Sequence, residues 1–558
     1  MGEGGQGIRT TGADVLVDTL LANGVDVCFA NPGTSEMHFV AALDRKPELR
    51  CILGLSEGLV TGAADGYARM AGRPAATLLH TGPGLSNGLA NLHNARRARA
   101  AVVNIVGDHA SHHLPLDAPL TTDIESLAAP MSNWVRRVKD PADVGPTVAA
   151  AVQAALTPPG VATMILPADA AWGTHALATA PQKAPIEAPR PASAETVREV
   201  ARLIRSNPQG VAMVVSGAAA QADGLAVAGR IAAACGIQLF NEVLVAHTQR
   251  GRGRVAPARI PYPIDMALAT LKDVRVLILV GAPEPVAFFA YPGMPGRLVP
   301  EGCTVATLAR HGEDLKATLE ALGDELGVSP TGPLPTAGTP TDTGEPSGPL
   351  TEDAIAVIVA HKVPEDAIVC DEGVTSARRF FALSAFSAPH DLIMQTGGAI
   401  GDGIPLATGA AIACPESDLP AGRRQRHVQH SRLMDPGARK PRHRHRHLLQ
   451  PHLCHPACRD AQCRRRGDRH QCAADAEPRQ PRARLGVACP RPWRRSCRCH
   501  FLRGLRRALF RSAVAARTVP DRGAPGVSFG AVFAVLGTAI GEQPRYPGSP
   551  GKGPSSTR

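Results

Sequence analysis

The segment that decides the fold runs from Leu55 to Gly88 and reads LSEGLVTGAADGYARMAGRPAATLLHTGPGLSNG. In it, Glu57 stands just ahead of a helix-forming stretch rich in Ala and Gly, and a Gly-Pro-Gly turn at 82–84 follows a short apolar run. Taken singly, neither feature is specific, because a lone Glu at this place is most often a helix cap and Gly-Pro turns are common. Only their combination with the motifs on either side carries information.

Outward from this segment, residues 8–415 alternate between short apolar runs and Ala-rich stretches that favour helix. Apolar runs of this length are typical of strands buried in a parallel sheet. Strands that alternate with helices favour an α/β fold built of doubly wound parallel sheets. The predicted strands are Val25–Ala30, Ala101–Val106, Val161–Leu166, Val211–Val215, Val274–Val280 and Ala367–Cys370.

Two shifts in composition divide this region into domains. Residues 179–194 are rich in Pro and Ala, and 17 of the 22 residues at 329–350 are Gly, Pro, Ser or Thr, which cannot build a core. We therefore expect α/β units at 8–178 and 195–328 and, after the linker at 329–350, a third and incomplete unit at 351–415.

The order and spacing of four motifs resemble the pyrimidine-binding domain of thiamine-diphosphate enzymes. They are Asn31-Pro32-Gly33, Glu57, Ala64-Asp65-Gly66-Tyr67-Ala68-Arg69 and Gly82-Pro83-Gly84. Within that family the chain is most similar to acetolactate synthase large subunits, with the benzoylformate decarboxylase branch as a near relative. The resemblance implies that 8–178 is the pyrimidine-binding domain, 195–328 a central domain and 351–415 the start of a diphosphate-binding domain.

The resemblance also implies which residues bind the cofactor. Asp371–Ser376 and Thr396–Gly401 look like the opening of the family's diphosphate-binding domain. Thiamine diphosphate and Mg²⁺ are the implied cofactors. FAD is left open, because Gly217-Ala218-Ala219-Ala220 in the central unit is not a Gly-x-Gly-x-x-Gly pattern. The implied cofactor-binding residues are Asn31, Pro32, Gly33, Gly82, Asn87, Gly373, Thr375, Ser376, Gly398 and Ile400.

Glu57 is the residue to which the resemblance gives the clearest chemical role. In the family, a buried Glu exchanges a proton with N1′ of the aminopyrimidine, which activates the thiazolium C2 toward the carbonyl of a 2-keto acid. Burial suits that role, because desolvation raises a carboxyl pKa and keeps protonated Glu available near neutral pH. The implied activity is decarboxylation and carboligation of 2-keto acids such as pyruvate, by a homodimer or homotetramer with sites between its subunits.

Two more residues are candidates for catalysis. His80 matches a His that aids proton transfer in the benzoylformate decarboxylase branch; a core or solvent-facing His at a strand end is the alternative. Thr34 stands where that branch has a Ser that could hold the substrate carboxylate. Phe288 stands where the decarboxylases have a second catalytic His, and because Phe cannot transfer a proton, it disfavours a decarboxylase-type cycle.

The composition changes abruptly near residue 415. Residues 421–510 hold 23 Arg and one Lys against five acidic residues, a net charge of +19, whereas the whole chain carries +11. The rest of the chain is therefore mildly acidic, with a net charge of −8. No Asp-Gly pair follows Gly403 and no Asn follows Ala413, so the Asp-Gly…Asn motif with which the family binds Mg²⁺ is missing and no metal ligand is predicted.

A shift of reading frame near residues 415–420 explains this change. If the codons of His443–His447 are read one base downstream, each His becomes Ile or Thr and each Arg a residue such as Val, which is a plausible buried strand. The same frame can encode an Asp-Gly pair just after Pro420, and an Asn from the codon of Gln450 that stands 27 codons beyond the Asp. We therefore predict that 416–558 is non-native sequence and largely disordered. The chain as written should bind cofactor weakly and not turn over.

Two other interpretations of this segment remain. Clusters such as Arg464-Arg465-Arg466 would bind phosphate, so a non-catalytic protein with a basic tail that contacts nucleic acid is the alternative from another class. Aromatic residues for base stacking are not interleaved, which disfavours it. The possible zinc ligands have a spacing that fits no C-x-x-C…C-x-x-C module. They are Cys454, His455, Cys458, Cys463 and Cys472.

The sequence predicts a cytoplasmic protein without a membrane partner. No apolar run reaches the roughly 20 residues that span a bilayer. The first residues, MGEGGQGIRTTGADV, lack an apolar signal segment. With 44% hydrophobic and 20% charged residues, the composition is that of a soluble protein able to bury a large core.

Overall fold

A computed structural model describes residues 10–174, 181–337, 346–374 and 377–414. Thr375 and Ser376, two predicted cofactor-binding residues, lie outside the described residues, and so does 416–558 with the predicted frameshift and disorder. The described residues confirm an α/β fold with doubly wound parallel sheets; the domain boundaries stay predictions. No helix in the described ranges is both long and apolar enough to cross a membrane.

The N-terminal part of the chain forms a six-stranded sheet with helices between its strands. The elements are α1 (Gly12–Ala22), β1 (Val27–Asn31), α2 (Met37–Arg45), β2 (Arg50–Leu53), α3 (Glu57–Ala71), β3 (Ala75–His80), α4 (Thr81–Ala98), β4 (Val102–Asp108), α5 (Ile124–Ala128), β5 (Trp134–Arg137), α6 (Val144–Leu156), β6 (Val161–Pro167) and α7 (Ala168–Trp172). All strand pairs are parallel, in the order β2-β1-β3-β4-β6-β5. The order reverses between β1 and β3, and ligands of such sheets bind beyond the strand ends at a reversal of this kind.

Helices cover both faces of this sheet. Helices α1 and α6 bury residues such as Leu16 and Val148 on one face. Helices α3 and α4 bury Val60, Tyr67 and Leu92 on the other. Burying a side chain of this kind contributes about 1.5–3 kcal/mol relative to leaving it exposed, so the two apolar layers hold the strand ends in fixed positions.

The central part of the chain forms a second parallel sheet. Its elements are α8 (Ala194–Ser206), β7 (Val211–Val215), α9 (Ala222–Cys235), β8 (Gln238–Asn241), β9 (His247–Arg250), β10 (Ala258–Arg259), α10 (Ile264–Leu271), β11 (Val276–Val280), β12 (Thr304–Ala309) and α11 (Leu315–Leu326). The strand order is β10-β8-β7-β11-β12, and β9 leaves this sheet to join the third.

The third sheet mixes strand directions, which the sequence does not predict. The last elements are α12 (Glu352–Lys362), β13 (Ala367–Asp371), α13 (Phe380–Leu383), β14 (His390–Met394) and α14 (Gly403–Ala413). β13 and β14 are parallel, and β9 pairs with β14 as an antiparallel edge strand. β9 is polar, but its side chains find partners: His247 Nε2 lies 2.8 Å from Asp391 Oδ1, and the buried guanidinium of Arg250 stacks on the ring of Phe381.

Helix α14 packs closely along α3, and two glycines allow the approach. A Cβ on Gly66 would collide with the backbone of Leu406, and one on Gly409 would collide with the backbone of Ala63. The small residues that follow Glu57 are therefore explained by helix packing. The same packing holds the third sheet's helix against the helix that begins at Glu57.

Candidate active site

The carboxyl ends of β1, β2 and β3 bring candidate residues to one edge of the first sheet. Asn31 ends β1, Gly54 follows β2, and His80 ends β3. The side-chain amide of Asn31 donates to the carbonyl oxygen of Gly54 at 2.9 Å and ties the ends of β1 and β2 together. The site thus lies at the switch point of the sheet, where the fold leaves a crevice.

Glu57 is the first residue of α3, and Ser56 caps the helix by accepting from the backbone N–H of Leu59. The side-chain amide of Asn87, from α4, donates to Glu57 Oε2 at 3.2 Å. This contact brings together two residues that the sequence assigns separately, one to catalysis and one to cofactor binding. In the single chain Glu57 is half-buried, because it begins a helix at the sheet edge beside Leu55, which is 90% exposed.

His80 is held by a carboxylate that the sequence does not point to. Its Nδ1 lies 2.8 Å from Glu36 Oε2 and 3.1 Å from the hydroxyl of Ser35. Glu36 is buried, and its Oε2 also accepts the backbone N–H of Gly33 at 2.8 Å. The hydrogen bond from Glu36 raises the pKa of His80, so the protein favours an imidazole that is protonated and fixed in orientation.

The sequence contains a pattern that could have pointed to Ser35 and Glu36 as partners of His80. Ser35 and Glu36 follow the turn at Asn31-Pro32-Gly33 after one intervening residue, and polar residues that follow a buried strand meet at the carboxyl edge of a parallel sheet. Glu36 escapes attention because a single Glu three residues beyond a Gly is common in loops. The side chain of Thr34, the residue that the sequence does select, is exposed in this loop.

The predicted Gly-Pro-Gly turn is part of a helix. Gly82 is buried and lies, with Pro83 and Gly84, in the first turn of α4, which begins at Thr81. Thr81 is buried and has a φ of 50°, a left-handed conformation that is strained for a β-branched residue. Strain of this kind costs on the order of 1–3 kcal/mol and clusters at functional sites. The turn prediction at 82–84 is wrong, because the sharp change of direction occurs one residue earlier.

The third unit's candidates surround the start of α14. The N–H of Gly373 donates to Asp371 Oδ1 at 2.8 Å. The carboxylate of Glu372 accepts the N–H groups of Asp402 and Gly403 at 3.0 and 2.9 Å. Among the predicted residues nearby, Gly398 has a φ of 81° and Ile400 is 67% exposed. Glu372, which the sequence does not select, thus caps the helix that packs on α3.

A buried group of charges lies between α3 and α14. Asp65 and Arg69 form an ion pair with almost no exposed side-chain surface, and Arg69 Nη1 also donates to the carbonyl of Met394 at 2.6 Å. Asp402 is fully buried, and neither of its carboxylate oxygens has a hydrogen-bond partner within the described part of the chain. Burial, and secondarily the carboxylate of Asp65, raise the pKa of Asp402 well above its ordinary value.

Thiamine diphosphate and Mg²⁺ fit these residues unequally. At the pyrimidine end, Asn87 holds Glu57 Oε2, and Gly84 lies beside Oε1, where an added Cβ would make an ordinary contact of 3.5 Å. At the diphosphate end, no cluster of three or more His, Cys, Asp or Glu among the described residues could hold a metal ion. Asp402, in the Asp402-Gly403 pair, is buried between helices. The described residues therefore fit the pyrimidine half of the cofactor, and the missing Mg²⁺ motif stays a prediction about the sequence beyond them.

Phe288 lies in the central part of the chain, in a pocket of about 300 Å³. Its ring stands 4.8 Å from that of Tyr262, centroid to centroid. Asp265 is the titratable carboxylate among the lining residues, which are otherwise apolar or aromatic. The pocket offers shape and apolar surface where the resemblance would place a proton-transferring His. Its lining residues are Tyr262, Pro263, Ile264, Asp265, Phe288, Phe289, Tyr291 and Met294.

Known proteins are similar in sequence to about three quarters of this chain. The family model for the thiamine pyrophosphate enzyme N-terminal TPP binding domain matches residues 10–127. The "Putative acetolactate synthase large subunit IlvX" of Mycobacterium tuberculosis (strain ATCC 25618 / H37Rv) is 49% identical over 407 residues, covering 73% of this chain and 77% of that protein. Benzoylformate decarboxylase of Pseudomonas aeruginosa is 30% identical over 438 residues, covering 72% of this chain and 78% of that protein.

A solved structure shares the fold. The thiamine diphosphate-dependent 4-hydroxybenzoylformate decarboxylase of Rhodococcus jostii RHA1 superposes with a TM-score of 0.62 at 22% identity, covering 73% of this chain and 79% of that one. The chain therefore belongs to the family of thiamine-pyrophosphate-dependent enzymes. Within it, the chain is similar to acetolactate synthase large subunits and to benzoylformate decarboxylases.

Proposed function

We propose that this chain derives from an acetolactate synthase-like enzyme that decarboxylates a 2-keto acid such as pyruvate and joins the product to an acceptor. The observation that carries the proposal is the contact between Glu57 and Asn87 at the switch point, beside the His80–Glu36 pair. Similarity at 49% identity to a protein named as an acetolactate synthase large subunit supports it. Thiamine diphosphate, when bound, supplies the electron sink for loss of carbon dioxide.

Residues of the chain itself orient the catalytic groups and transfer protons. Asn87 orients the Glu57 carboxyl through Oε2, which leaves Oε1 to exchange a proton with a bound aminopyrimidine. Because Glu36 engages Nδ1 of His80, Nε2 is the atom that His80 offers to a substrate. A His held by a buried carboxylate is a suitable proton donor near neutral pH. Asn31, through its bond to Gly54, fixes the strand end that leads to Glu57.

We further propose that the chain as written does not turn over, because the Mg²⁺ half of the site is missing. The matched 407 residues span 77% of the mycobacterial relative, which agrees with a change of sequence character near residue 415. Resequencing codons 405–460 from the source DNA tests the frameshift. A missing or extra base restores the Asp-Gly…Asn motif; an unchanged reading makes this chain a true shifted product.

Activity is then measured on two chains, one as written and one with the frame restored. We expect saturable, Mg²⁺-dependent acetolactate formation from pyruvate only in the restored chain, and its loss in the restored E57Q variant. Saturable carboligation by the chain as written would refute the proposed inactivity. Failure of the restored chain with every 2-keto acid would refute the proposed function.

A decarboxylase of the benzoylformate type is the second candidate. The similarity to benzoylformate decarboxylase and the Glu36-supported His80 favour it, whereas Phe288 in place of a second His disfavours it. The two candidates separate in one experiment on the restored chain. Benzaldehyde from benzoylformate identifies a decarboxylase, and acetolactate from pyruvate identifies a carboligase.

A homodimer or homotetramer is the proposed assembly. Large apolar side chains beside the site are exposed, which agrees with a surface that another subunit covers. Analytical ultracentrifugation tests this, and L55E should dissociate the assembly if Leu55 is buried in it. The exposed apolar residues beside the site are Leu53, Leu55, Val374, Ile400 and Ile404.

Cytoplasmic location and FAD stay predictions. The absorbance spectrum of the purified chain decides the presence of flavin.

A further inference from the structure

Two cysteines stand side by side on neighbouring strands of the first sheet. Cys28 on β1 and Cys51 on β2 are direct partners in the parallel register. Cys28 is fully buried, whereas Cys51 is exposed. Strand β2 is the edge strand of the sheet and is bonded to β1 alone. A buried thiol is therefore paired with an exposed one at the margin of the sheet.

This placement allows a disulfide bond. Neighbouring strands lie about 4.7–4.9 Å apart, which falls inside the Cα separation of roughly 4.4–6.8 Å that disulfides require. Residues directly opposite each other in a parallel register also project from the same face. The edge position of β2 leaves it free to adjust by the small amount that bond formation needs.

The two thiols also differ in reactivity. The Cys28 thiol donates to the carbonyl oxygen of Phe29 at 3.8 Å, and the neighbouring Cys28 side chain lowers the pKa of Cys51 against the opposing effect of burial. Burial, by contrast, raises the pKa of Cys235, Cys303 and Cys370. Redox-sensing cysteines typically combine exposure, thiolate character and an adjacent resolving Cys. Cys51 and Cys28 together meet all three conditions.

We propose that Cys51 is a peroxide-reactive thiol and Cys28 its resolving partner, so that oxidation closes a Cys28–Cys51 disulfide between β2 and β1. In the first step the Cys51 thiolate attacks hydrogen peroxide: an S–O bond forms, the O–O bond breaks, and the hydroxide that leaves takes the thiol's proton to become water. In the second step the Cys28 sulfur attacks the sulfenic sulfur: an S–S bond forms, the S–O bond breaks, and a second water leaves with the Cys28 proton. Two thiols lose two electrons, and one peroxide is reduced to two waters.

The disulfide acts on the candidate active site, in so far as the proposed function holds. Beyond Cys28, the chain passes along β1 into the loop that bears Glu36. Beyond Cys51, it passes along β2 to Glu57 at the start of α3. The bond between Asn31 and Gly54 already couples the two strand ends. Any adjustment of β2 against β1 on bond formation therefore shifts Glu57 relative to His80, and oxidation should change turnover of the frame-restored enzyme.

The chemistry is tested on the full chain without any activity assay. The reduced protein is treated with increasing hydrogen peroxide, alkylated, digested with trypsin and mapped by mass spectrometry. Cleavage after Arg45 and Arg50 places Cys28 and Cys51 on separate peptides, so a linked pair reports the disulfide. We expect this linkage to form before Cys235 or Cys303 is oxidised, and to reverse with dithiothreitol.

Variants make the assignment specific. C28S should halt the reaction at a Cys51 sulfenic acid that dimedone traps, and C51S, at an exposed position that should not disturb the core, should leave Cys28 reduced. C303S is the matched control and should form the linkage as the parent does. Oxidation of Cys51 no faster than that of Cys303, or Cys51 linked only to cysteines beyond residue 414, would overturn the proposal. A linkage that forms without changing turnover of the restored enzyme would overturn only its effect on the site.

Discussion

Nδ1 of His80 lies 2.8 Å from Oε2 of Glu36, and the two side chains come from different strand ends of the first sheet. Glu36 is fully buried, so its carboxylate depends on partners within the fold for compensation. His80 and the N–H of Gly33 supply them. The pair therefore couples the charge of His80 to the folding of the loop after β1.

The first prediction concerns E36Q. Glu36 raises the pKa of His80 in the folded state. The stability that the His80–Glu36 pair contributes is therefore present at acidic pH and is lost as the pH rises through the folded-state pKa of His80. E36Q should therefore lower the free energy of unfolding most at acidic pH and least at alkaline pH. Urea unfolding of the parent and E36Q across this pH range measures the difference. In an H80N background E36Q should lose this pH dependence; an unchanged profile there would show that another group is responsible.

The second prediction concerns Asp402, whose buried carboxyl has no hydrogen-bond partner among the described residues. Its raised pKa means that the folded state retains a proton which the unfolded state releases, so stability falls as the pH rises above the ordinary value of 3.8 toward the folded-state pKa. D402N cannot ionise and should be more stable than the parent near neutral pH. The groups that act on it are unchanged by the substitution: the charged Asp65, Arg69 and Glu372 and the amide of Asn94, which opposes the rise in pKa.

Unfolding by urea at several pH values tests this second prediction. The gap between D402N and the parent should widen as the pH increases. D353N, which removes an exposed carboxylate on α12 that pairs with Arg379, is the control and should shift the free energy of unfolding by no more than about 1 kcal/mol, as exposed ion pairs do. A D402N protein that is less stable than the parent at neutral pH would mean that the ionised carboxylate has a partner.

The parallel sheets were predictable from sequence because their strands are apolar and regularly spaced. Val211–Val215 and Val161–Pro167 are buried along their whole length, so each apolar run has one physical explanation. Strand β9 was not predictable, because His247 is polar and gains its partner Asp391 only when β14 is in place. Arg250 likewise depends on distant groups, since its guanidinium donates to the side chain of Ser384 and the carbonyl of Phe381. The local pattern of apolar residues predicts buried strands well. It does not predict a polar strand that is stabilised by tertiary contacts.

The candidate active site was also predictable only in part. Glu57 and Asn87 were selected because their motifs resemble a known family, and the structure brings their side chains together. Glu36 was not selected, since its role depends on His80, a residue 44 positions away in sequence. Glu57 is half-buried in the single chain, and its full burial stays a prediction, because the proposed assembly covers this edge with another subunit. The type of a residue indicates which chemistry its side chain can perform. Its burial and its hydrogen-bond partners depend on which distant strands lie next to each other in the fold.

The third prediction concerns the close packing of α14 on α3. A Cβ on Gly409 would meet the backbone of Ala63, which cannot move aside as a side chain would. G409A should therefore cost about 1–3 kcal/mol or more in the free energy of unfolding, as overpacking does. G323A is the matched control, because a Cβ there makes an ordinary contact with Ile231 at 3.8 Å. It should be neutral or stabilise α11 by about 0.5–1 kcal/mol. Equal effects of the two substitutions would contradict the close approach.

The last prediction concerns Thr81, which joins His80 to helix α4. Its φ of 50° strains a β-branched residue, and the left-handed conformation costs roughly 1–2 kcal/mol that glycine avoids. Thr19 is a suitable comparison, since it is also fully buried and its hydroxyl likewise has no partner among the described residues, but it lies in α1 with helical backbone. T19G should destabilise the protein through loss of helix propensity and packing. T81G should be less destabilising than T19G by at least about 1 kcal/mol, because relief of strain offsets the lost side chain. Chemical denaturation of both variants measures this difference, and equal losses would show that the backbone at Thr81 is not strained.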